Sequence, residues 1–258
     1  MFKNFFVIDK KKLFFVCSVI LIAALTLALL LPLFMKAASV SASIKKVPIY
    51  RVDTDEKKIS LTVNAAWEDT DTDAFLEIFE KYNVKTTFFV VGEFASRCEN
   101  AIVRINSKGH EIGTHSDTHA DMAKLDKDAI KRELQVSSEK IEKITGKKPT
   151  LFRAPSGSYN NTVISTAEDM GYTCIQWDVD TVDWKGKTAD EMLKRVMKKA
   201  KNGSIILLHL GAEHTKEALP KIIKALQNEG YEIVPVSELV YPLDNSYTDS
   251  SGVQHKKQ

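Results

Sequence analysis

Between Leu13 and Met35 the chain runs for 23 residues without a charge. As a helix rising ~1.5 Å per residue, such a run crosses a hydrocarbon core of about 30 Å. Lys3, Lys10, Lys11 and Lys12 precede it against a single Asp9. Basic flanks stay on the cytoplasmic side, so everything after the run is expected outside the cytoplasm. Two readings differ in the fate of the segment. A cleavable signal peptide has a shorter apolar core, of about 7–15 residues, and Val40-Ser41-Ala42 offers it a small-residue cleavage site; the chain would then be secreted. The length of the run favours an uncleaved single-pass anchor. A buried core helix would show a polar face, and none interrupts this run.

The expected organisation is a cytoplasmic basic stub (1–12), a transmembrane signal anchor (13–35), a linker and lead-in (36–56), one domain (57–243) and a tail (244–258). The tail is rich in Asp, Ser, Asn, Lys and Gln and reads as disordered. At 258 residues there is room for one α/β-barrel-sized core. Net charge is only +2, and neither a basic stripe with interleaved aromatics nor a glycine-rich phosphate loop occurs. Nucleic acid and nucleotide are therefore not expected partners. Of the three cysteines, Cys17 lies in the apolar run; Cys98 and Cys174 read as free thiols, with a disulfide between them the alternative.

From Ile59 onward short β-prone runs alternate with helix-like segments. The strands are expected at 59–65, 86–91, 111–114, 150–153, 172–176, 204–209 and 231–236. The helices are expected at 73–82, 93–107, 127–145, 160–170, 189–200 and 216–229. Leu219, Ile222, Ile223 and Leu226 fall on one helical face, and Gly146, Gly171, Gly203 and Gly230 stand where helix C-caps belong. Strand–helix alternation with short links implies parallel strands covered by helices. The fold class is α/β, a distorted (β/α) barrel of about seven strands behind one transmembrane helix; periodicity alone is also compatible with an open doubly wound sheet. The unusual polar residues fall at the carboxyl ends of the strands, where barrels of this kind place their chemistry. Asn64, His115 and His119, Arg153, the Asp178/Asp180/Asp183 set and His209 all do so.

His115 and His119 are four apart, which in a helical turn puts both imidazoles on one face, within reach of one metal ion. Phe152-Arg153-Ala154-Pro155-Ser156-Gly157 is a rigid loop with one cation that can orient a carboxylate; read alone, it is a turn. His209 ends an apolar strand with a group suited to acid catalysis near neutral pH, although a lone histidine there is more often a satisfied core residue.

His-Ser-x-x-His, Arg-x-Pro-x-Gly, Asp-x-Asp-x-x-Asp-Trp and Leu-x-His, in this order, resemble the motifs of the NodB-homology polysaccharide deacetylases, carbohydrate esterase family 4, over nearly all of 57–240. Val84–Gly92 resembles that family's second strand. The likeness is greatest to the Gram-positive branch that includes membrane-anchored, sporulation-associated deacetylases. The resemblance implies a divalent metal, zinc or similar, polarising the acetamide of a cell-wall amino-sugar polymer such as peptidoglycan, while an Asp base activates water and a His acid protonates the leaving amine. It assigns His115 and His119 as metal ligands, His209 as acid and Arg153 with Asp183 as a charge-tuning pair. It places Ser156 as oxyanion donor, with Trp184 and Leu208 as walls of the acetyl pocket. Trp67 is a further candidate sugar contact.

The first motif departs from the pattern. The family's Thr-Phe-Asp-Asp is here Thr62-Val63-Asn64-Ala65. Asn64 stands at the base position and cannot take a proton; Ala65 stands at the third ligand position and cannot hold a metal. Metal binding is then expected to be weak or absent, unless Glu68 or Asp69 substitutes. Two functions follow: a metal-assisted hydrolase, or a degenerate deacetylase that serves as a glycan-binding module.

Overall fold

The computed structural model describes residues 9–39 and 45–257. The first eight residues of the basic stub and the candidate cleavage site Val40-Ser41-Ala42 lie outside the described residues. The chain divides into two units, Met1–Lys45 and Lys46–Gln258. In the first, Lys10–Ser39 is one continuous helix, and its stretch Lys10–Leu30 is long and apolar enough to cross a membrane. The hydroxyls of Ser18 and Thr26 donate back to the helix's own carbonyls at Phe14 and Ala23, both at 2.9 Å, so these polar groups need no water.

Among its described residues the second unit contains eleven strands: β1 Arg51–Val52, β2 Lys58–Ala65, β3 Thr87–Val90, β4 Glu111–Thr114, β5 Leu151–Phe152, β6 Thr173–Cys174, β7 Val179–Asp180, β8 Ile205–His209, β9 Glu232–Ile233, β10 Ser246–Thr248 and β11 Val253–Lys256. Seven of them form a curled half-barrel in the order β6-β5-β4-β3-β2-β8-β7, with β9 paired to the start of β2. Every pairing in this sheet is parallel, as the strand–helix alternation requires. β7, Val179–Asp180, is not among the strands expected from periodicity.

β2 shows why the sheet has two unlike faces. Ile59, Leu61, Val63 and Ala65 pack into the main core with Phe75, Phe79, Phe88 and Ile222. Each fully buried Ile, Leu, Val or Phe side chain there contributes about 1.5–3 kcal/mol. The alternate residues are polar and face the opposite way. Ser60 Oγ donates to Val234 O and Thr62 Oγ1 to Ile206 O, each at 2.7 Å. The segment expected as one helix over 93–107 is two, Gly92–Arg97 and Glu99–Ser107, parted at Cys98 with φ −120° and ψ 44°. Cys98 and Cys174 are free thiols.

The expectation of a disordered tail is corrected. β10 and β11 form an antiparallel hairpin, and β11 lies parallel to β1. Polar composition hid it, because here polar groups make the structure. Asp249 Oδ1 accepts from Ser251 N at 2.8 Å and Val253 N at 3.0 Å, closing the turn. The buried Gln254 carboxamide accepts from Tyr241 N and donates to Tyr241 O.

Candidate active site at the carboxyl end of the sheet

The strand ends surround a cavity of about 290 Å³ lined by Asn64, Trp67, His115, His119, Ser156, Trp177, Asp180, Trp184, Leu207 and His209. Bonded to the lining residue Asn64, the Arg153 guanidinium is fully buried, and burial pulls its pKa down although it stays cationic at neutral pH. Nη1 donates to Thr62 Oγ1 at 2.9 Å and to Asn64 Oδ1 at 3.0 Å, and Nη2 donates to Gln176 O at 3.1 Å. The Phe89 ring lies 3.9 Å below the guanidinium carbon. No carboxylate pairs with Arg153 among the described residues, and its Nε has no partner there. A buried cation balanced only by neutral groups is costly.

His115 and His119 do come together, with ring centroids 5.1 Å apart. The route is not the helical turn expected, because residues 115–119 form a loop bent by Ser116 at φ 67° and His119 at φ 60°. Glu133, from the helix Lys127–Thr145, fixes that loop. Its carboxylate accepts from Asp117 N and Thr118 N, both at 2.9 Å, and from Thr118 Oγ1 at 2.8 Å. The loop also rests on Gly92, where a Cβ would stand 3.2 Å from Asp117 Cα and, on the helix side, 2.9 Å from Ser137 Cα. His115 Nδ1 lies 2.7 Å from Arg153 O; a carbonyl only accepts, so Nδ1 carries the proton and Nε2 the lone pair. Burial, and then neighbouring His119, lower the His115 pKa; burial lowers that of His119.

On the other wall, Asp183 and His209 form the pair, at 2.7 Å between Oδ1 and Nδ1. Asp183 Oδ2 also accepts from His209 N and from Thr215 Oγ1. Arg153 and Asp183 are therefore not a mutual pair: Arg153 serves Asn64 and Asp183 serves His209. Leu208 is likewise corrected. It is fully buried in the main core, and its neighbour Leu207 lines the cavity, because residues two apart share a strand face and His209 is the cavity-facing residue. Ser156, at φ 53°, and Trp184 line the cavity. Trp67 lies over His209 with centroids 5.9 Å apart and reaches His119 at 6.3 Å. Trp177 and Leu207 were not among the expected contacts, and Asp180 was expected only as one of the polar residues at the strand ends. The signal was available, since all three tryptophans of the chain fall at strand ends and all three line this cavity.

The resemblance implies a divalent metal, and catalytic zinc usually has three protein ligands. Ala65 is a fully buried methyl, and no group of three His, Cys, Asp or Glu among the described residues can hold an ion. Glu68 is exposed and does not line the cavity; Asp69 also lies outside the cavity lining and acts on the Cys98 thiol, whose pKa it helps raise after burial. Two imidazoles without a third donor do not fit a catalytic divalent site.

Residues 51–175 match the family model for polysaccharide deacetylase. An uncharacterized Bacillus subtilis protein, YlxY, is 35% identical over 77% of this chain, which spans 62% of that relative. Bacillus subtilis peptidoglycan-N-acetylmuramic acid deacetylase PdaA is 34% identical, the match covering 74% of each chain. Among solved structures, Bacillus anthracis BA3943, described as a CE4 family pseudoenzyme, superposes with a TM-score of 0.74 at 34% identity over 83% of this chain and 74% of that one. A BA3943 mutant is described as having restored enzymatic activity. Sequence identity, coverage and the curled parallel sheet agree that the chain belongs to the polysaccharide deacetylase family.

Proposed function

We propose that this chain binds a cell-wall amino-sugar polymer through the strand-end cavity without hydrolysing it. The observation that carries the reading is the end of β2, where Asn64 and Ala65 supply an amide and a methyl, while Trp67, Trp184 and His209 line the cavity beside Asn64. An amide takes no proton from water near neutral pH, and loss of a positioned base typically costs ~10²–10⁴-fold in rate. Trp67 and Trp184 are each about half exposed, at 52% and 53%. Large amphipathic rings beside a few convergent polar groups are what ligand cavities are made of. Relatives named as peptidoglycan deacetylases support peptidoglycan as the polymer. The apolar helix supports attachment to the membrane, with the domain on the cell-wall side.

A residual hydrolase is the second reading, favoured by the Asp183–His209 pair, which would deliver a proton to a leaving amine. Acetate release from N-acetylglucosamine oligomers by the full chain in detergent separates the two, with and without added zinc. The expected result is no release above background, together with a saturable change in tryptophan fluorescence on adding the oligomers. Metal-dependent turnover would establish the hydrolase instead.

A further inference from the structure

We infer that the outer face of the helices Ala189–Lys199 and Thr215–Asn228 is a docking surface for a polyanion, a phosphodiester polymer without bases. The inference goes beyond the glycan reading, and none of the lysines that carry it lines the strand-end cavity. Both helices turn their apolar sides inward: Met192 and Val196 of the first and Leu219, Ile222 and Ile223 of the second belong to the main core. The opposite sides are left to Lys194, Lys198, Lys221 and Lys224, all exposed. Asp190, Lys194 and Lys198 recur every fourth residue, so they share one side of the first helix, about 6 Å apart along its axis. Lys221 Nζ lies 2.7 Å from Asp190 Oδ1, which joins that side to the side of the second helix that carries Lys221 and Lys224.

Charge is segregated there. Residues 185–224 hold ten Lys and Arg against four Asp and Glu, whereas the rest of 46–258 holds 20 against 29. The carboxylates of the first helix are engaged, Asp190 with Lys221 and Glu191 with Lys187 and the capping box of Thr188. Lys194, Lys198, Lys199, Lys201 and Lys224 are exposed and have no ion pair among the described residues. A helix dipole accounts for Lys198 and Lys199, which stand in a last turn. It does not account for Lys194, in the middle of the first helix, or for Lys224, which precedes the last turn of the second. Like charges one turn apart repel, and a bound polyanion relieves them. The face also selects among polyanions. Elements that lie on lipid bury apolar side chains beside their lysines, and surfaces that bind nucleic acid offer aromatics for stacking. The exposed large apolar side chains of the second unit are Trp67, Val103, Val136, Trp184, Leu243 and Tyr247, none of them within 185–224. Planar carboxylates suit a guanidinium fork, but Arg195 is half-buried with Nε on Asp180 O. The free groups are ammoniums, point charges that suit phosphate.

The test is an anisotropy titration of the full chain, held in phosphatidylcholine nanodiscs, with fluorescein-labelled poly(glycerol phosphate) and with labelled dextran. The expected result is saturable binding of the phosphate polymer alone. It should weaken about tenfold to a hundredfold between 50 and 200 mM salt, as release of counterions from about four phosphates requires. Lys194→Glu, Lys198→Glu and Lys224→Glu together should abolish binding. The three Lys→Gln changes, which only remove charge, should weaken it at least about tenfold, with thermal unfolding unchanged. Lys10→Gln, Lys11→Gln and Lys12→Gln together should leave it intact. No saturable binding by the folded parent overturns the inference, as does binding that the stub variant removes and the face variants keep. Shielding of Lys194, Lys198 and Lys224 from acylation by phosphatidylglycerol nanodiscs, without any by the polymer, would overturn it in favour of a lipid surface.

Discussion

Arg153 holds a buried charge that no carboxylate balances among the described residues, and Asn64 offers it only an amide oxygen. Asn64→Asp would put a carboxylate in that place without a change of volume. Hydrogen bonds between ions contribute about 1.5–3 kcal/mol, so urea unfolding should show a gain of that order near neutral pH. The gain has a sign in pH. Pairing with Arg153 depresses the folded carboxylate pKa below its usual value near 3.9, so the stabilisation is present above that value and is lost as pH falls through the depressed one. A variant no more stable than the parent at pH 7 would mean that the carboxylate's desolvation offsets the pairing. Backbone strain gathers around the same cavity. Ser116, His119, Ser156 and Val182 have positive φ, at about 1–3 kcal/mol each. The motifs made His115, His119, Arg153, Asp183 and His209 legible from sequence, because each is a rare polar residue at a strand end. Partner choice was not legible. Motif order says nothing about which side of a half-barrel a residue faces, so Arg153 and Asp183 were expected together although each holds a different group.

Between residues and fold, short clasps hold whole segments. Glu133 ties the loop 116–118 to the helix Lys127–Thr145 with three hydrogen bonds. Glu133→Ala leaves two backbone donors without that acceptor and should lower stability by about 1–3 kcal/mol. It should also broaden the imidazole NMR signals of His115 and His119, which a merely global loss of stability would not single out. A second clasp holds the hairpin of β10 and β11. His255 Nδ1 lies 3.0 Å from Asp53 Oδ2, and Nε2 lies 3.1 Å from Asp249 Oδ2. Two carboxylates on one ring require a proton on both nitrogens, and the His255 pKa is raised, chiefly by Asp249. A raised histidine pKa stabilises below the unfolded value near 6.5, and that contribution is lost as pH rises through the folded pKa. Amide exchange of 246–256 should therefore quicken above neutrality relative to β2, and His255→Gln should abolish the difference. An unchanged exchange ratio from pH 6 to 9 would remove the clasp. Helix periodicity foretold Lys127–Thr145 to the residue, because its apolar stripe is long. It missed β7 and the hairpin, whose pairing rests on hydrogen bonds and has no apolar pattern to display.

At the scale of the whole molecule, the chain carries a domain of the polysaccharide deacetylase family after a helix long and apolar enough to cross a membrane. If the basic stub stays inside, protease added to intact cells should digest or release the domain. A domain protected until lysis would reverse the orientation. The architecture of α/β half-barrel plus apolar helix was legible because both rest on long-range hydrophobic pattern; the closing three-stranded sheet was not. That sheet has a consequence for assembly. Arg51 pairs with Val253, a separation of 253 − 51 = 202 positions, so β1 must wait for nearly the whole domain to be synthesised before its neighbour exists. Pairs of such separation form late, since loop-closure entropy opposes them until other contacts are in place. A nonsense mutation near codon 246 would leave the half-barrel whole and yet strip β1 of the strand beside it.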